Sequence, residues 1–290
     1  MSHRTHVPQA LAIHAARTPE RARWLERLPE TLAELESRWA VTLEAPIDTE
    51  EVSASWVAPA RRADGTPTML KLAMPHFEGE QEIAGLRFWN GDPTVRLIEY
   101  DESLGAMLLE RCEPATVLRM LPEDEQDVIL AGLLPRMWKT PAPPHAFRTL
   151  AALMKHWTQE TMTYESLWPD AGLVREGLRL FEALSRPEQT DVLLATDLHA
   201  GNVLRAERKP WLVIDPKPFV GDPAYDATQH LFNGLDRLTA DPHGTIARFA
   251  DQLGVAAERV RQWTFARAAA EPRQGWSDCR RFALARRLVG

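Results

Sequence analysis

Hydrophobic positions at the start of the chain follow helical spacing. Residues 10–39 carry this spacing, and Thr18 before Pro19 is typical of a helix start, with a capping side chain and a proline in the first helical position. Pro29 interrupts the pattern, which then resumes. The spacing predicts a helical segment over residues 1–40 that packs on the lobes formed by the rest of the chain.

Short strands are predicted in the next part of the chain. Runs typical of strands occur at residues 41–44, 52–58, 68–73, 95–100 and 106–110. Asp64-Gly65 lies between the second and third runs and is typical of a tight hairpin turn. One helical stretch, at residues 78–89, interrupts the series. The spacing therefore predicts a small β-rich lobe over residues 41–113 with one helix.

Helical spacing returns after Pro114. Helices are predicted at residues 115–121, 123–139, 147–165, 171–185, 224–238, 243–252, 255–270 and 276–288. The exception is the segment 192–215, where short apolar runs alternate with polar residues. The chain is therefore expected to have an α+β fold, in which a larger, mainly helical lobe over residues 114–290 follows the β-rich lobe.

Three polar residues in the segment 192–215 are candidates for a catalytic, metal-binding site. Asp197 and Asn202 lie five positions apart in a stretch too polar for a core strand, and Asp215 ends an apolar run. Two carboxylates and a carboxamide in one cleft suit a hard cation, which prefers oxygen ligands. Phosphoryl transfer needs such a cation and an acceptor for the proton of the attacking hydroxyl group. Single Asp or Asn residues beside Gly or Pro more often form turns, but three at this spacing favour catalysis.

The same segment resembles a known family. The spacing of Asp197 and Asn202 matches the kinase pattern of a catalytic Asp five residues before a metal-binding Asn. Residues 214–218, IDPKP, and residues 220–226, VGDPAYD, resemble the aminoglycoside/hydroxyurea phosphotransferase family, relatives of the protein kinases. The resemblance implies a bilobal, protein-kinase-like fold, with Asp197 as catalytic base, Asn202 and Asp215 as Mg²⁺ ligands, and ATP as co-substrate.

Lys71 provides an independent indication in the β-rich lobe. It stands between apolar residues in a predicted strand, and a buried lysine is costly unless it is paired. Kinases pair such a lysine with the nucleotide phosphates and with a Glu on the following helix. That helix offers Glu78, Glu80 and Glu82, of which the resemblance favours Glu82. The alternative is that Lys71 protects an edge strand against aggregation.

The remaining nucleotide contacts follow from the resemblance. Residues 107–114, MLLERCEP, are similar to the strand and hinge that link kinase lobes, which implies purine contacts near Arg111, Cys112 and Glu113. The chain has no G-x-G-x-x-G motif, so its phosphate loop is expected at residues 52–56, with hydroxyl groups from Ser53 or Ser55.

The catalytic segment departs from its relatives in one place. Ala195-Thr196 stands where many relatives have His-Gly, which leaves open how the loop before Asp197 is held. His199 is expected to have a structural role, and Asp226 to be a packing or helix-terminal acid. The D-F-G and A-P-E motifs of protein kinases are absent, which argues against a protein substrate.

Acceptor residues are the least constrained part of the site. A cationic acceptor would favour acidic side chains near Asp197, and Glu271 and Asp278 are candidates, although acids on a surface are usually only solvated. The aromatic residues near the end of the chain could stack on a sugar ring, but at helical spacing they are more often core residues. These aromatic residues are Trp263, Phe265 and Trp276.

Composition narrows the class of protein. The formal net charge of -7 argues against a nucleic-acid partner, and its main expected effect is solubility. Two distant cysteines, without a metal-binding spacing, fit a reducing cytoplasm. The N-terminal residues lack the apolar stretch of a signal peptide, and no apolar run approaches the ~18 residues of a membrane span.

The expected function is that of a small-molecule kinase. The preferred acceptor is a streptomycin-like aminoglycoside, with hydroxyurea or an endogenous hydroxylated metabolite as the alternative. A catalytically inactive, nucleotide-binding kinase fold is the alternative of another class, and the intact set of Lys71, Asp197, Asn202 and Asp215 argues against it.

Overall fold

The computed structural model describes residues 6–49, 54–272 and 279–289. The first elements are the helices α1 (Gln9–Ala15) and α2 (Pro19–Arg38). The Thr18 hydroxyl accepts a hydrogen bond from the Arg21 N–H group at 3.3 Å, so the predicted cap is confirmed. Pro29 does not end α2, because Leu28, Leu32 and Leu35 bury one side of the helix.

Five antiparallel strands follow, in the order β1-β2-β3-β5-β4. They are β1 (Val41–Leu43), β2 (Ser55–Arg62), β3 (Pro67–Ala73), β4 (Leu97–Asp101) and β5 (Ala106–Glu110). The hairpin between β2 and β3 is confirmed, with Gly65 in the left-handed region at φ 87°. The bounds predicted for β2 were wrong, since it begins at Ser55 and continues through Pro59 to Arg62. Pro59 is tolerated there because its backbone polar side faces β1, and β1 ends at Leu43 opposite Ala60, so the missing N–H group costs no bond between the strands.

The helix α3 (Glu82–Trp89) packs on one face of this sheet. Alternation along β3 directs Leu70 and Leu72 into one buried cluster with α1 and α2, whereas Met69 and Ala73 contact a second cluster that contains Ile83 and Leu86 of α3. The predicted helix at 78–89 is shorter than expected, because residues 77–79 form a separate 3₁₀ turn.

Three further strands form a separate sheet. They are β6 (Glu113–Val117), β8 (Val203–Arg205) and β9 (Trp211–Val213), in the order β6-β8-β9. The predicted helix at 115–121 was wrong, because residues 113–117 pair as a strand and only residues 118–120 form a 3₁₀ turn. By contacts between Cα atoms, the chain divides into one unit of residues 1–115 and 204–214, and a second of residues 116–203 and 215–290.

The second unit is mainly helical. Its helices are α4 (Glu123–Met137), α5 (Leu150–Thr163), α6 (Ala171–Leu184), α7 (Asp226–Asn233), α8 (Leu235–Ala240), α9 (Pro242–Leu253), α10 (Ala257–Ala270) and α11 (Cys279–Leu288). The predicted helix at 224–238 is divided at Gly234. Strand β7 (Val192–Leu194) pairs antiparallel with β10 (Phe219–Gly221), a strand that the hydrophobic pattern did not predict. Within the described ranges, no helix has both the length and the apolar character to cross a bilayer.

Candidate active site

Lys71 lies in the middle of the first unit's sheet. It belongs to β3, between Val57 of β2 and Met107 of β5, so it is not an edge residue. The alternative of an edge-strand lysine that prevents aggregation is therefore wrong. Strand alternation places Lys71 on the same face as Met69 and Ala73, which is the face that α3 covers.

Lys71 and Glu82 form a buried ion pair. The Lys71 ammonium lies 2.6 Å and 2.7 Å from the two carboxylate oxygens of Glu82, and both residues are at most 6% exposed. Glu82 is the first residue of α3, where the helix dipole favours a negative charge. Kinases use such a pair to direct the lysine towards the phosphates of the nucleotide.

The other predicted nucleotide residues of the first unit have varied surroundings. Ser55 is the half-buried first residue of β2, whereas Ser53 lies outside the described residues. The Arg111 side chain lies 3.5 Å from a carboxylate oxygen of Glu44. Cys112 is buried, and burial followed by the charge of Glu110 raises the pKa of its thiol to about 12, so it is a neutral residue. The Glu113 side chain lies outside the described part of the structure.

An ion pair that the sequence analysis missed holds the β8–β9 connection in the first unit. Arg208 donates to both carboxylate oxygens of Glu110, at 3.0 Å from Nε and 2.8 Å from Nη2. It also donates to the carbonyl oxygens of Gly91 and Thr94. Glu110 is the last residue of β5, directly before the predicted hinge. Arg208 therefore fixes the connection between the segments that carry Asn202 and Asp215.

Asp226 holds the backbone that precedes Asp197 in the second unit. Its carboxylate accepts from the N–H groups of Ala195 at 3.0 Å and Thr196 at 2.8 Å, and from the indole of Trp138 at 3.0 Å. Burial raises the pKa of Asp226 to about 6, although these donors and Arg267 oppose the shift. The residue predicted as a packing or helix-terminal acid is the first residue of α7, and it also holds the backbone before Asp197, the predicted catalytic base.

Thr196 and Lys217 join the two halves of the catalytic segment. The Thr196 hydroxyl donates to the Lys217 carbonyl oxygen at 2.6 Å, and the Lys217 N–H group donates to the Ala195 carbonyl oxygen at 2.8 Å. Thr196 and Asp215 both have positive φ, 48° and 53°. A β-branched residue adopts this conformation only where surrounding contacts enforce it. These bonds explain how the loop is held without the His-Gly pair of many relatives.

Asn202 and His199 define the loop on the far side of Asp197. The Asn202 side-chain nitrogen donates to the Asp197 carbonyl oxygen at 3.0 Å. Because the nitrogen is used in this way, the carboxamide oxygen is the atom of Asn202 that can bind a cation. His199 accepts from the Gly201 N–H group at 3.0 Å through Nδ1, which is the structural capping role expected for it.

A cation already accompanies Asp215. The Lys217 ammonium lies 2.5 Å from Asp215 Oδ1 and 3.4 Å from the Asp215 carbonyl oxygen. Lys217 is 6% exposed, so this charge is largely removed from water. Lys217 is part of the IDPKP motif, but no role was predicted for it. A charged residue between two prolines, two positions after the predicted metal ligand, was the signal that could have identified it.

The donor atoms fit a magnesium ion. The predicted ligands are one carboxylate, from Asp215, and one carboxamide oxygen, from Asn202. Among the described residues, no group of three or more His, Cys, Asp or Glu side chains could hold a metal on its own. This composition suits Mg²⁺, which is usually bound by few protein oxygens together with water and substrate phosphates.

The carboxylate of the acceptor candidate Glu271 is paired with two guanidinium groups. It lies directly after α10 and accepts from Arg267 at 3.1 Å and from Arg281 at 3.0 Å. Burial lowers the pKa of Arg267, but the acidic groups of Glu271, Tyr225 and Asp197 outweigh this effect and hold it above its ordinary value. Binding an acceptor through Glu271 would therefore require a carboxylate to leave a compensated, partly buried pair.

The other acceptor candidates are core residues or lie outside the described part of the chain. Trp263 is fully buried, and its indole donates to the Asp222 carboxylate at 2.7 Å. Phe265 is also buried, so the core alternative holds for both aromatic residues. Asp278 and Trp276 lie outside the described residues.

Comparison with known proteins identifies the family. A model of the aminoglycoside/hydroxyurea antibiotic resistance kinase family matches residues 38–274. The streptomycin 6-kinase of Streptomyces griseus is 38% identical over 273 residues, which cover 90% of this chain and 88% of that protein. The hydroxyurea phosphotransferase of Kitasatospora aureofaciens is 35% identical over 251 residues, which cover 84% of this chain and 72% of that protein.

A solved structure supports the fold. The choline kinase LicA from Streptococcus pneumoniae superimposes with a TM-score of 0.56 at 13% identity, over 90% of this chain and 91% of that chain. At this identity the likeness shows the fold alone, and the expected α+β, protein-kinase-like fold is confirmed. The chain belongs to the aminoglycoside/hydroxyurea antibiotic resistance kinase family, and it is a phosphotransferase that acts on hydroxyl groups.

Proposed function

We propose that this protein transfers the γ-phosphoryl group of ATP to a hydroxyl group of streptomycin or a closely related aminoglycoside. The observation that carries this proposal is the 38% identity to a streptomycin 6-kinase across 90% of the chain. The hydroxyurea phosphotransferase that is 35% identical over 84% of the chain favours hydroxyurea as the second candidate acceptor.

The proposed reaction is a direct transfer. The oxygen of the acceptor hydroxyl group forms a bond to the γ-phosphorus, and its proton passes to the Asp197 carboxylate. The bond between the γ-phosphorus and the bridging oxygen breaks, and ADP leaves with that electron pair. Asp197 is suited to this role because the backbone before it is fixed by Asp226 and the backbone after it by Asn202.

The remaining groups would position the nucleotide and neutralise its charge. Lys71, directed by Glu82, would bind the α- and β-phosphates. Asn202 and Asp215 would hold Mg²⁺, which supplies neutralisation of phosphate charge when bound. In this proposal residues 41–113, with the segment 204–214, hold the nucleotide, and the helical unit carries the catalytic loop and the acceptor site. Free cysteines at positions 112 and 279 are compatible with work in a reducing cytoplasm.

A panel of acceptors tests the proposal. Purified protein with Mg²⁺ and ATP is incubated with streptomycin, other aminoglycosides, hydroxyurea and common sugars, and products are identified by mass spectrometry. Streptomycin is expected to gain one phosphoryl group in step with ADP formation. If only hydroxyurea is phosphorylated, the second candidate is correct. If no acceptor in the panel is phosphorylated, the proposed function is wrong.

Two substitutions test the proposed roles. Asp197→Asn is expected to lower kcat by at least about 10³-fold while binding of ADP with Mg²⁺ is retained, because only the proton acceptor is removed. Asp215→Ala is expected to lose the Mg²⁺-dependent part of nucleotide affinity, measured by isothermal titration calorimetry. Asp251→Asn, on the exposed side of α9, is the control and should change neither property.

A further inference from the structure

The main chain of Lys217 is held by hydrogen bonds on both its N–H and its carbonyl group. Its N–H group donates to Ala195, and its carbonyl oxygen accepts from the Thr196 hydroxyl group. Prolines stand on both sides of it in the sequence, and each restricts its own φ angle to a narrow range. The main chain of Lys217 is thus held against the two residues that precede Asp197, so its side chain begins from a defined position beside the catalytic loop.

The ammonium group of Lys217 pairs with the carboxylate that is also the proposed ligand of the metal ion. It lies 2.5 Å from Asp215 Oδ1, and Asp215 is the proposed carboxylate ligand of the metal ion. A buried ion pair contributes little net stability, because desolvation of the two charges offsets their attraction. Stability alone therefore does not account for a 6% exposed lysine at this position.

Phosphoryl transfer is favoured by positive charge beside the transferred group. In the transition state, negative charge is spread over the three equatorial oxygens of the transferred group and over the leaving oxygen. Lys71 is held by both carboxylate oxygens of Glu82, and its proposed partners are the α- and β-phosphates. Arg267 is fully buried and is bound to Glu271, Thr228 and Gln229. The Lys217 ammonium lies beside Asp215 and has three N–H donors, so it can keep a bond to Asp215 while another donor changes partner to a phosphoryl oxygen.

We propose that Lys217 binds the transferred phosphoryl group and stabilises its charge as the bond to ADP breaks. The inference rests on the proposed kinase function and deepens it. Lys217 makes and breaks no covalent bond in this role. Without nucleotide its ammonium compensates the Asp215 carboxylate, and with nucleotide it donates to the oxygens of the γ-phosphoryl group.

Binding of a transition-state mimic tests this role without an acceptor. Isothermal titration calorimetry compares ADP with Mg²⁺ against ADP with Mg²⁺ and aluminium fluoride, in which the fluoride complex stands in for the transferred phosphoryl group. The wild-type protein is expected to bind the mimic more tightly than ADP. Lys217→Gln is expected to lose that gain by about 10- to 100-fold, while the affinity for ADP changes by less than about threefold. Lys155→Gln, an exposed lysine on α5, is the matched control and should retain the full gain.

Two outcomes would overturn the proposal. One is an undiminished gain in Lys217→Gln, and the other is an equal loss of affinity for ADP and for the mimic, which would indicate a structural or metal-directed role. The test contains no acceptor, so its result does not depend on whether streptomycin is the correct acceptor. If the wild-type protein binds no nucleotide with Mg²⁺, the proposed function fails as well, so the two failures are distinguishable.

A second measurement covers the case in which Lys217→Gln does not fold. The chain contains five lysines, so the ¹⁵Nζ resonance of Lys217 in wild-type protein can be assigned by substituting the other four in turn. We expect this resonance to shift when aluminium fluoride is added to the complex with ADP and Mg²⁺, and to respond much less to ADP alone. A resonance that is unaffected by aluminium fluoride would contradict the proposal.

Discussion

The Thr196 hydroxyl group donates to the carbonyl oxygen of Lys217 at 2.6 Å. This bond connects the residue before Asp197 with the segment that follows Asp215. Both Thr196 and Asp215 have left-handed backbone angles, so the hydrogen bond helps to hold two strained positions at once. The proposed catalytic geometry therefore depends on a side chain that is not expected to touch the substrate.

Substitution of Thr196 tests this dependence. Thr196→Val preserves the shape of the side chain but leaves the Lys217 carbonyl oxygen without its donor. We expect a loss of about 1–3 kcal/mol in the free energy of unfolding and a decrease in kcat of at least about tenfold. Thr196→Ser retains the hydroxyl group and should remain close to wild type. Urea denaturation and steady-state kinetics measure both effects, and equal behaviour of the two variants would contradict the role of the bond.

The raised pKa of Asp226 leads us to expect an unusual dependence of stability on pH. Its pKa is about 6 in the folded protein against an ordinary value of 3.8, so the folded state binds the proton more tightly than the unfolded state. Its contribution to the free energy of unfolding therefore falls as pH rises through this window, by about 2 kcal/mol between pH 4.5 and pH 7.5.

Comparison with Asp226→Asn isolates this contribution. The variant cannot titrate at this position, so the stability of the wild type relative to the variant should decline by that amount as pH rises. Chemical denaturation at several pH values measures the difference, and other titrating groups cancel in it. A constant difference across the range would show that the carboxylate is ionised in the folded protein at all these pH values.

The buried pair of Lys71 and Glu82 should behave differently from an exposed pair. Lys71→Met removes the cation that compensates the buried Glu82 carboxylate, so we expect a loss of about 3–5 kcal/mol in the free energy of unfolding. The double variant Lys71→Met/Glu82→Leu should recover most of this loss, while catalysis is lost in both. The exposed pair of Arg87 and Glu102, at 3.1 Å, is the matched control, with an expected coupling of about 1 kcal/mol or less. A double-mutant cycle for each pair provides the measurement.

Two glycines inside helices should respond to alanine in opposite directions. A Cβ atom at Gly177 of α6 would lie 2.8 Å and 3.0 Å from the Cβ atoms of Ala270 and Ala269 on α10. Gly177→Ala is therefore expected to cost about 1–3 kcal/mol, because α6 and α10 would have to separate. Gly132 of α4 is exposed, and its Cβ atom would meet nothing within 4 Å, so Gly132→Ala should add about 0.5–1 kcal/mol. Midpoints of urea denaturation distinguish the two results.

Much of the fold was predictable because local signals were consistent. The cap at Thr18, the hairpin at Gly65 and most helices of the second unit follow from spacing and turn chemistry, which depend on residues close in sequence. The errors have long-range causes. Packing of Leu28, Leu32 and Leu35 carries α2 through Pro29, and pairing in the sheet with β8 makes residues 113–117 a strand.

The candidate site likewise contains some features that could be predicted from the sequence and others that could not. The spacing of Asp197, Asn202 and Asp215 predicted the candidate site, and the family resemblance favoured Glu82 as the partner of Lys71, with which it forms an ion pair. The brace formed by Asp226 was not predictable, since it joins residues about thirty positions apart through backbone N–H groups that have no sequence signature. Arg208 was missed for a similar reason, because its partner Glu110 lies on a distant strand.

The membership of residues 204–214 in the first unit has a consequence for how the protein is made. A nascent chain that has emerged from the ribosome only to residue 115 lacks β9 and lacks the guanidinium that binds Glu110. The first unit therefore cannot complete its packing until residues 204–214, which follow the predicted catalytic residue Asp197, have also been translated. A fragment that ends at residue 115 would likewise lack Leu212, which belongs to the buried cluster between α3 and β5.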